Sequence, residues 1–213
     1  EAMHAHPEWL DLVRPLLPVY PRSGRPLDLF DREYPEVWDL PASRDDAAWH
    51  TVGLFHWGKN RDIGGPAPAD EVPEERSVHL ADLGLDPGAT HLVLDAWERT
   101  WTWTTGPAIT RTLDPRTAAV LIVRPAPDRP AVVLTTRHLL GGAVEVTDEA
   151  WDAAAGRLSF AVDTVAGVAE TLYVATAGRT MKGATADGVA IDVPAEIDGV
   201  VAIPVVPGTA RTA

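Results

Sequence analysis

The spacing of apolar positions changes once along this chain. Between Pro7 and Pro18 the apolar residues Trp9, Leu10, Val13, Leu16 and Leu17 recur at the three- and four-residue intervals of a one-sided helix. Pro7 suits a first helical turn and Pro18 a stop. Nothing later in the chain is helical enough to be a bundle partner, so the stripe calls for a surface to pack on. After a proline-punctuated connector, Tyr20 to Pro35, the period becomes two. Val37–Leu40, Trp49–Trp57, Ser77–Leu80, His91–Trp97, Thr100–Thr104, Ile109–Leu113, Ala118–Val123 and Val132–Thr136 read as strands. Within Trp49–Trp57, the residues Val52, Leu54 and His56 share a face.

Glycine and proline punctuate these strands. Leu83–Gly88 is a turn, Asp45–Asp46 another, and Gly58 to Glu75 a long exposed loop. Many short strands at close spacing predict an all-β fold built as an antiparallel β-sandwich. From residue 147 the strands become lighter: Leu158–Val162, Thr171–Ala175, Val189–Val193 and Val200–Val205, with tight hairpin turns at Asp187-Gly188 and Asp198-Gly199. The organisation expected is a helix and connector over 1–35, a sandwich over 36–146 and a small β extension over 147–213. About 65 residues make a marginal core, so the extension is expected to dock on the sandwich.

Composition narrows the function. The 213 residues carry a formal net charge of −13, dispersed along the chain, which disfavours a nucleic-acid backbone or an anionic membrane surface as partner. The longest apolar runs, such as Ala118–Val123, fall far short of the roughly 20 residues that span a bilayer. There is no cysteine, so disulfides, thiolate metal sites and a cysteine nucleophile are excluded. The seven histidines are scattered, with no pair one helical turn apart, and no zinc site is expected. His138 reads as a hydrogen-bonded structural histidine. The glycine pairs Gly64-Gly65 and Gly141-Gly142 do not precede helices and read as turns rather than phosphate cradles. No cofactor is implied.

The aromatic constellation is the candidate site. Trp101 and Trp103 fall on one face of a strand, with Trp97 and Arg99 just before them. A row of indoles can stack on the C–H face of a pyranose while Arg99 or a threonine hydrogen-bonds its hydroxyls. The competing role is interior packing, since each aromatic ring buries roughly 150–250 Å². The core reading takes precedence for at least one of Trp101 and Trp103, with Thr100, Thr102 and Thr104 turned to solvent. Trp38, Trp49 and Trp57, set in apolar strands, read as core more strongly. The acids Asp31, Glu33, Glu36 and Asp39, and the Asp45-Asp46 pair, read as solvated surface groups.

Three stretches carry a family resemblance. They are Arg25–Phe30 with Pro35–Leu40; Trp49–Trp57 with Leu83–Gly88 and Leu94–Glu98; and Arg129–His138 with Gly141–Glu145. In this order, over roughly residues 7 to 146, they resemble the C-terminal β-sandwich of α-galactosidase-like (melibiase-type) glycoside hydrolases. The resemblance implies a catalytic (α/β)₈ barrel preceding residue 1, on which Trp9, Leu10, Val13, Leu16 and Leu17 would pack. The family's two catalytic aspartates belong to that barrel, and neither of their motifs occurs here. The resemblance therefore implies a chain that is not an enzyme by itself but an accessory domain that stabilises the barrel and borders its cleft. Two other readings stand beside it: a carbohydrate-binding module using Trp101 and Trp103 with an oligosaccharide as partner, or one chain of a cleaved enzyme complex.

Overall fold

The computed structural model describes residues 13–16, 23–58, 70–165 and 167–205. Over them the protein is all-β, with antiparallel sheets and slight helical content, as the period-two patterning predicts. Contacts divide the chain into two units. The first comprises Pro21–Ser43 and Ala47–Ala126; the second takes Arg44–Asp46, the chain from Pro127 onward and the N-terminal residues.

The first unit contains β1 (Arg25–Pro26), β2 (Val37–Arg44), β3 (Ala47–His56), β4 (Glu74–His79), β5 (His91–Asp95), β6 (Thr100–Thr104), β7 (Ala108–Leu113) and β8 (Thr117–Pro125). Six of these form one sheet in the order β1-β2-β3-β8-β5-β6, while β4 pairs with β7. The two sheets sandwich a core in which Val52 and Leu54 of β3, Val93 of β5, and Ala119, Leu121 and Val123 of β8 meet Val78 of β4 and Ile109 and Leu113 of β7. Fully burying each Val, Leu or Ile is worth about 1.5–3 kcal/mol. His56 shares this face of β3 and is buried with Val52 and Leu54. Every residue of β5 is buried, so this strand is closed to solvent on both faces and loses the simple alternation of a half-exposed strand.

The second unit contains β9 (Ala131–Thr135), β10 (Val146–Asp152), β11 (Arg157–Val162), β12 (Glu170–Ala175), β13 (Ala184–Ala186), β14 (Val189–Ile191) and β15 (Val200–Val205). Its sheets are β15-β12-β9, the hairpin β10-β11 and the hairpin β13-β14. Val132, Val146, Val174, Val201 and Ile203 form its core, with Leu158, Phe160 and Met181 packed against them. The turn Asp187-Gly188 joins β13 to β14 with both residues at positive φ, 50° and 79°, and Asp198-Gly199 repeats this at 44° and 76°. These are the tight hairpin turns that Asp-Gly pairs favour.

Two features differ from the sequence expectation. The division falls after Ala126 rather than after residue 146, because β9 pairs antiparallel with β12, around a bulge at Val133, and is drawn into the C-terminal sheet. Of the expected opening helix, only Val13–Leu16 is described: Val13 is half-buried, Arg14–Leu16 form one 3₁₀ turn, and Leu16 is 54% exposed. The Pro15 carbonyl accepts from the backbone N–H of Leu139. Trp9, Leu10 and Leu17 lie outside the described residues.

Candidate functional site

Trp101 and Trp103 sit on β6, at the edge of the six-stranded sheet, opposite Leu94 and Leu92 of β5. Their common face follows from the strand period. Both are half-buried, as is Trp97 in the turn before β6, while Arg99 is exposed at a φ of 56°. Thr100 and Thr102 are exposed and Thr104 is half-buried. β6 pairs with β5 on one side and, among the described residues, with no strand on the other. Trp97 owes its position to Asp95, whose carboxylate accepts from the backbone N–H groups of Trp97 and Glu98 and so closes the turn.

The other tryptophans divide. Trp49 is fully buried, with the Arg124 guanidinium 5.0 Å above its ring. Trp57, which the apolar strand pattern assigns to the core, is instead 39% exposed. It lies one residue beyond the end of β3 and stacks on Phe55, ring centroids 4.8 Å apart and planes within 5°. Its indole N–H donates to the Pro35 carbonyl at 2.9 Å, and that carbonyl also accepts from the Trp38 indole at 3.3 Å. Arg32, Glu33, Tyr34, Glu36, Trp57 and Gly58 line a cleft of about 240 Å³ beside this stack. Phe30, in the same loop, is 97% exposed.

Around this cleft the charged groups are paired. Glu36 is bound by Arg76 through Nε at 2.8 Å and Nη2 at 3.1 Å, and Arg32 bridges Glu36 from the other side. Arg76 Nη2 also lies 3.3 Å from His56 Nδ1. Asp28 accepts from the backbone N–H groups of Glu36 and Val37, pinning the 28–36 loop. Asp39, completely buried, lies 2.7 Å from His50 Nδ1 and 2.9 Å from Arg25. Glu36 and Asp39, expected as solvated surface acids, are therefore buried structural ones, because arginine and histidine partners arrive from distant strands.

The second unit has its own buried network. Arg44 donates to the carbonyls of Gly142 and Val132 and pairs with Glu149 at 2.7 Å. Glu145, 1% exposed, accepts from the Thr135 hydroxyl and lies 3.0 Å from His138 Nδ1. His138 is thus the hydrogen-bonded histidine that the sequence leads one to expect. Burial alone would raise the Glu145 carboxyl; hydrogen bonds from His138 and Thr135 and the histidine charge outweigh it, and the net direction is below the ordinary glutamate value. Glu170 moves the other way. Burial raises it, and Arg137, 3.7 Å away, with the Val165 backbone offsets only part.

Chemically, Arg44 with Glu149 and Thr135 with Glu145 and His138 form closed networks. Nucleophilic catalysis needs a hydroxyl bonded to the base that deprotonates it, with the base oriented by a third group. Here Thr135 and His138 both bind the carboxylate, and all three are buried. Neither Glu145 nor Glu170 borders the cleft at Trp57. Among the described residues no three His, Asp or Glu side chains converge as a metal site, and no helix is long and apolar enough to cross a membrane. No protein-family model matches the sequence, and no curated protein matches it.

Proposed function

We propose that this chain is the non-catalytic C-terminal β-region of an α-galactosidase-like glycoside hydrolase, whose barrel it stabilises and whose cleft it borders. The observation that carries the reading is where the polar residues of the three resembling stretches go. Asp28 holds the backbone of Glu36 and Val37, Asp39 meets Arg25 and His50, and Pro35 holds the Trp57 indole. Asp95 closes its own turn, and Glu145 joins Thr135 to His138. Asp39 with His50, and Pro35 with Trp57, join two of the resembling stretches, and the remaining pairs lie within one stretch. Such residues preserve an architecture rather than a reaction. A retaining glycosidase needs two carboxyls about 5–5.5 Å apart on either side of a sugar; Glu36, Asp39, Glu145 and Glu149 are committed to internal partners.

A second reading, sugar binding by Trp101 and Trp103, is favoured by one observation: both remain half-exposed, side by side, on an edge strand.

An antibody to this chain tests the first reading. Precipitates from cells that make the protein are expected to hydrolyse an aryl α-galactoside, while the purified chain does not. A precipitate devoid of glycosidase activity contradicts the reading. So does turnover by the purified chain that is lost on replacing one of its own acids.

A further inference from the structure

We infer that His56 is an acid-released staple: as a neutral ring with its proton on Nε2 it ties Gly58 to Val72, and a second proton, on Nδ1, undoes the tie. The neighbours assign the proton. Two donors converge on Nδ1, the Gly58 backbone N–H and the Arg76 guanidinium Nη2, each at 3.3 Å. Nε2 faces an acceptor, the Val72 carbonyl, at 3.2 Å. A neutral imidazole has one N–H and one accepting nitrogen; an imidazolium has two N–H groups and no acceptor. Only the neutral ring protonated at Nε2 satisfies all three neighbours. The ring is buried at the end of β3, so bulk water does not replace a lost partner.

His50 and His138 are wired the opposite way. Nδ1 of His50 lies 2.7 Å from the Asp39 carboxylate, and Nδ1 of His138 lies 3.0 Å from that of Glu145. An N–H at Nδ1 serves those contacts whether the ring is neutral or charged. At His56 the same proton would point at a guanidinium and a peptide N–H. The charges around it come from several elements. β4 supplies Arg76, which is bound to Glu36 and Glu74. The segment before β4 supplies Glu71, whose carboxylate oxygen would lie 2.8 Å from a Cβ on Gly58. The turn before β8 supplies Arg116, with Nε 3.7 Å from Glu71 and its backbone N–H on the His56 carbonyl. Arg76 touches Nδ1 directly, so an added proton there is met by positive charge. Acid therefore frees Gly58 and Val72 from the end of β3 while the strand ladder stays in place. Gly58 also lines the cleft with Arg32 and Glu36, so the same event alters the edge of that cleft. The inference stands on the ring and its neighbours and does not depend on the parent being a glycosidase.

Long-range ¹H–¹⁵N NMR on the full chain, labelled at the histidine rings, reads the proton positions. At neutral pH His56 is expected to be neutral and protonated at Nε2. On acidification its second proton is expected to arrive together with a fall of about tenfold or more in the exchange protection of the Gly58 amide, while the protected amides of the β3–β8 ladder keep theirs. His56→Gln, whose amide does not titrate, is expected to remove the pH dependence at Gly58. The proton positions and Gly58 protection in the unmutated chain decide the matter if that variant fails to fold. A His56 ring protonated at Nδ1 at neutral pH would overturn the inference. So would Gly58 protection that is unchanged when the ring takes its second proton, that is lost only together with the whole ladder, or that keeps its pH dependence in His56→Gln.

Discussion

His138 Nδ1 lies 3.0 Å from the carboxylate of Glu145, seven residues further along the chain, with both side chains sealed from solvent. Gly141 and Gly142, at φ of 64° and 81°, turn the intervening segment back on itself so that the two can meet. Because the folded state holds Glu145 below the ordinary glutamate value, its contribution is fully present above the unfolded value of about 4.3 and is lost as pH falls through the folded value. Glu145→Gln is expected to melt below wild type at neutral pH, and the difference to vanish as pH falls through the folded Glu145 value. A constant difference at every pH would count against the ionised pair.

Glu170 has the opposite sign. Its folded value is raised, so ionisation is costly in the folded protein above that value, and the cost vanishes as pH falls to the unfolded value near about 4.3. Glu170→Gln is expected to raise the melting temperature at neutral pH, with the gain disappearing on acidification. Melting temperature against pH, run beside the Glu145 variant, checks both signs at once.

Gly142 is held by its surroundings as well as by its φ. A Cβ there would lie 2.8 Å from Arg44 Nη1 and 3.2 Å from Val146 Cγ2. Gly156, at φ 62° in the β10–β11 turn, has nothing within 4 Å of the same position. Gly156→Ala is expected to cost only the left-handed backbone, about 1–2 kcal/mol. Gly142→Ala is expected to cost clearly more, because it also displaces a buried guanidinium from the Gly142 and Val132 carbonyls and Glu149. Urea midpoints of the two variants measure the difference.

The strands were legible in the chain because alternation and Gly/Pro punctuation are local signals: His91–Trp97 and Val200–Val205 each contain an observed strand, and Trp49–Trp57 overlaps Ala47–His56. Pairing was not legible. Ala131–Thr135 is as apolar as its neighbours, and only its register with β12 assigns it to the second unit. The same limit hid the buried acids. Asp39 looks like any surface aspartate until Arg25 and His50, eleven or more residues away, arrive beside it. Trp57 misled for a related reason: it continues the apolar pattern of β3, but the strand stops at His56 and the indole turns to Phe55 and Pro35.

The tryptophans of β6 and β3 are expected to separate in stability. Trp49→Ala, at a fully buried position, is expected to cost about 3–5 kcal/mol. Trp101→Ala and Trp103→Ala, half-buried at the sheet edge, are expected to cost roughly 1–3 kcal/mol each. Chemical denaturation of the three variants provides the comparison. A negligible cost for Trp101 and Trp103 together with lost retention on a galactose-containing polysaccharide would promote the carbohydrate-binding reading.

The proposed membership of this chain in a larger glycosidase is tested most directly by the mass of the polypeptide that carries it in the cell. Immunoprecipitation under denaturing conditions followed by intact-mass measurement gives that number. The account predicts one polypeptide exceeding the 22.8 kDa of these 213 residues by at least the roughly 250 residues of an (α/β)₈ barrel. A species of 22.8 kDa, with no glycosidase chain accompanying it under native conditions, would contradict the account.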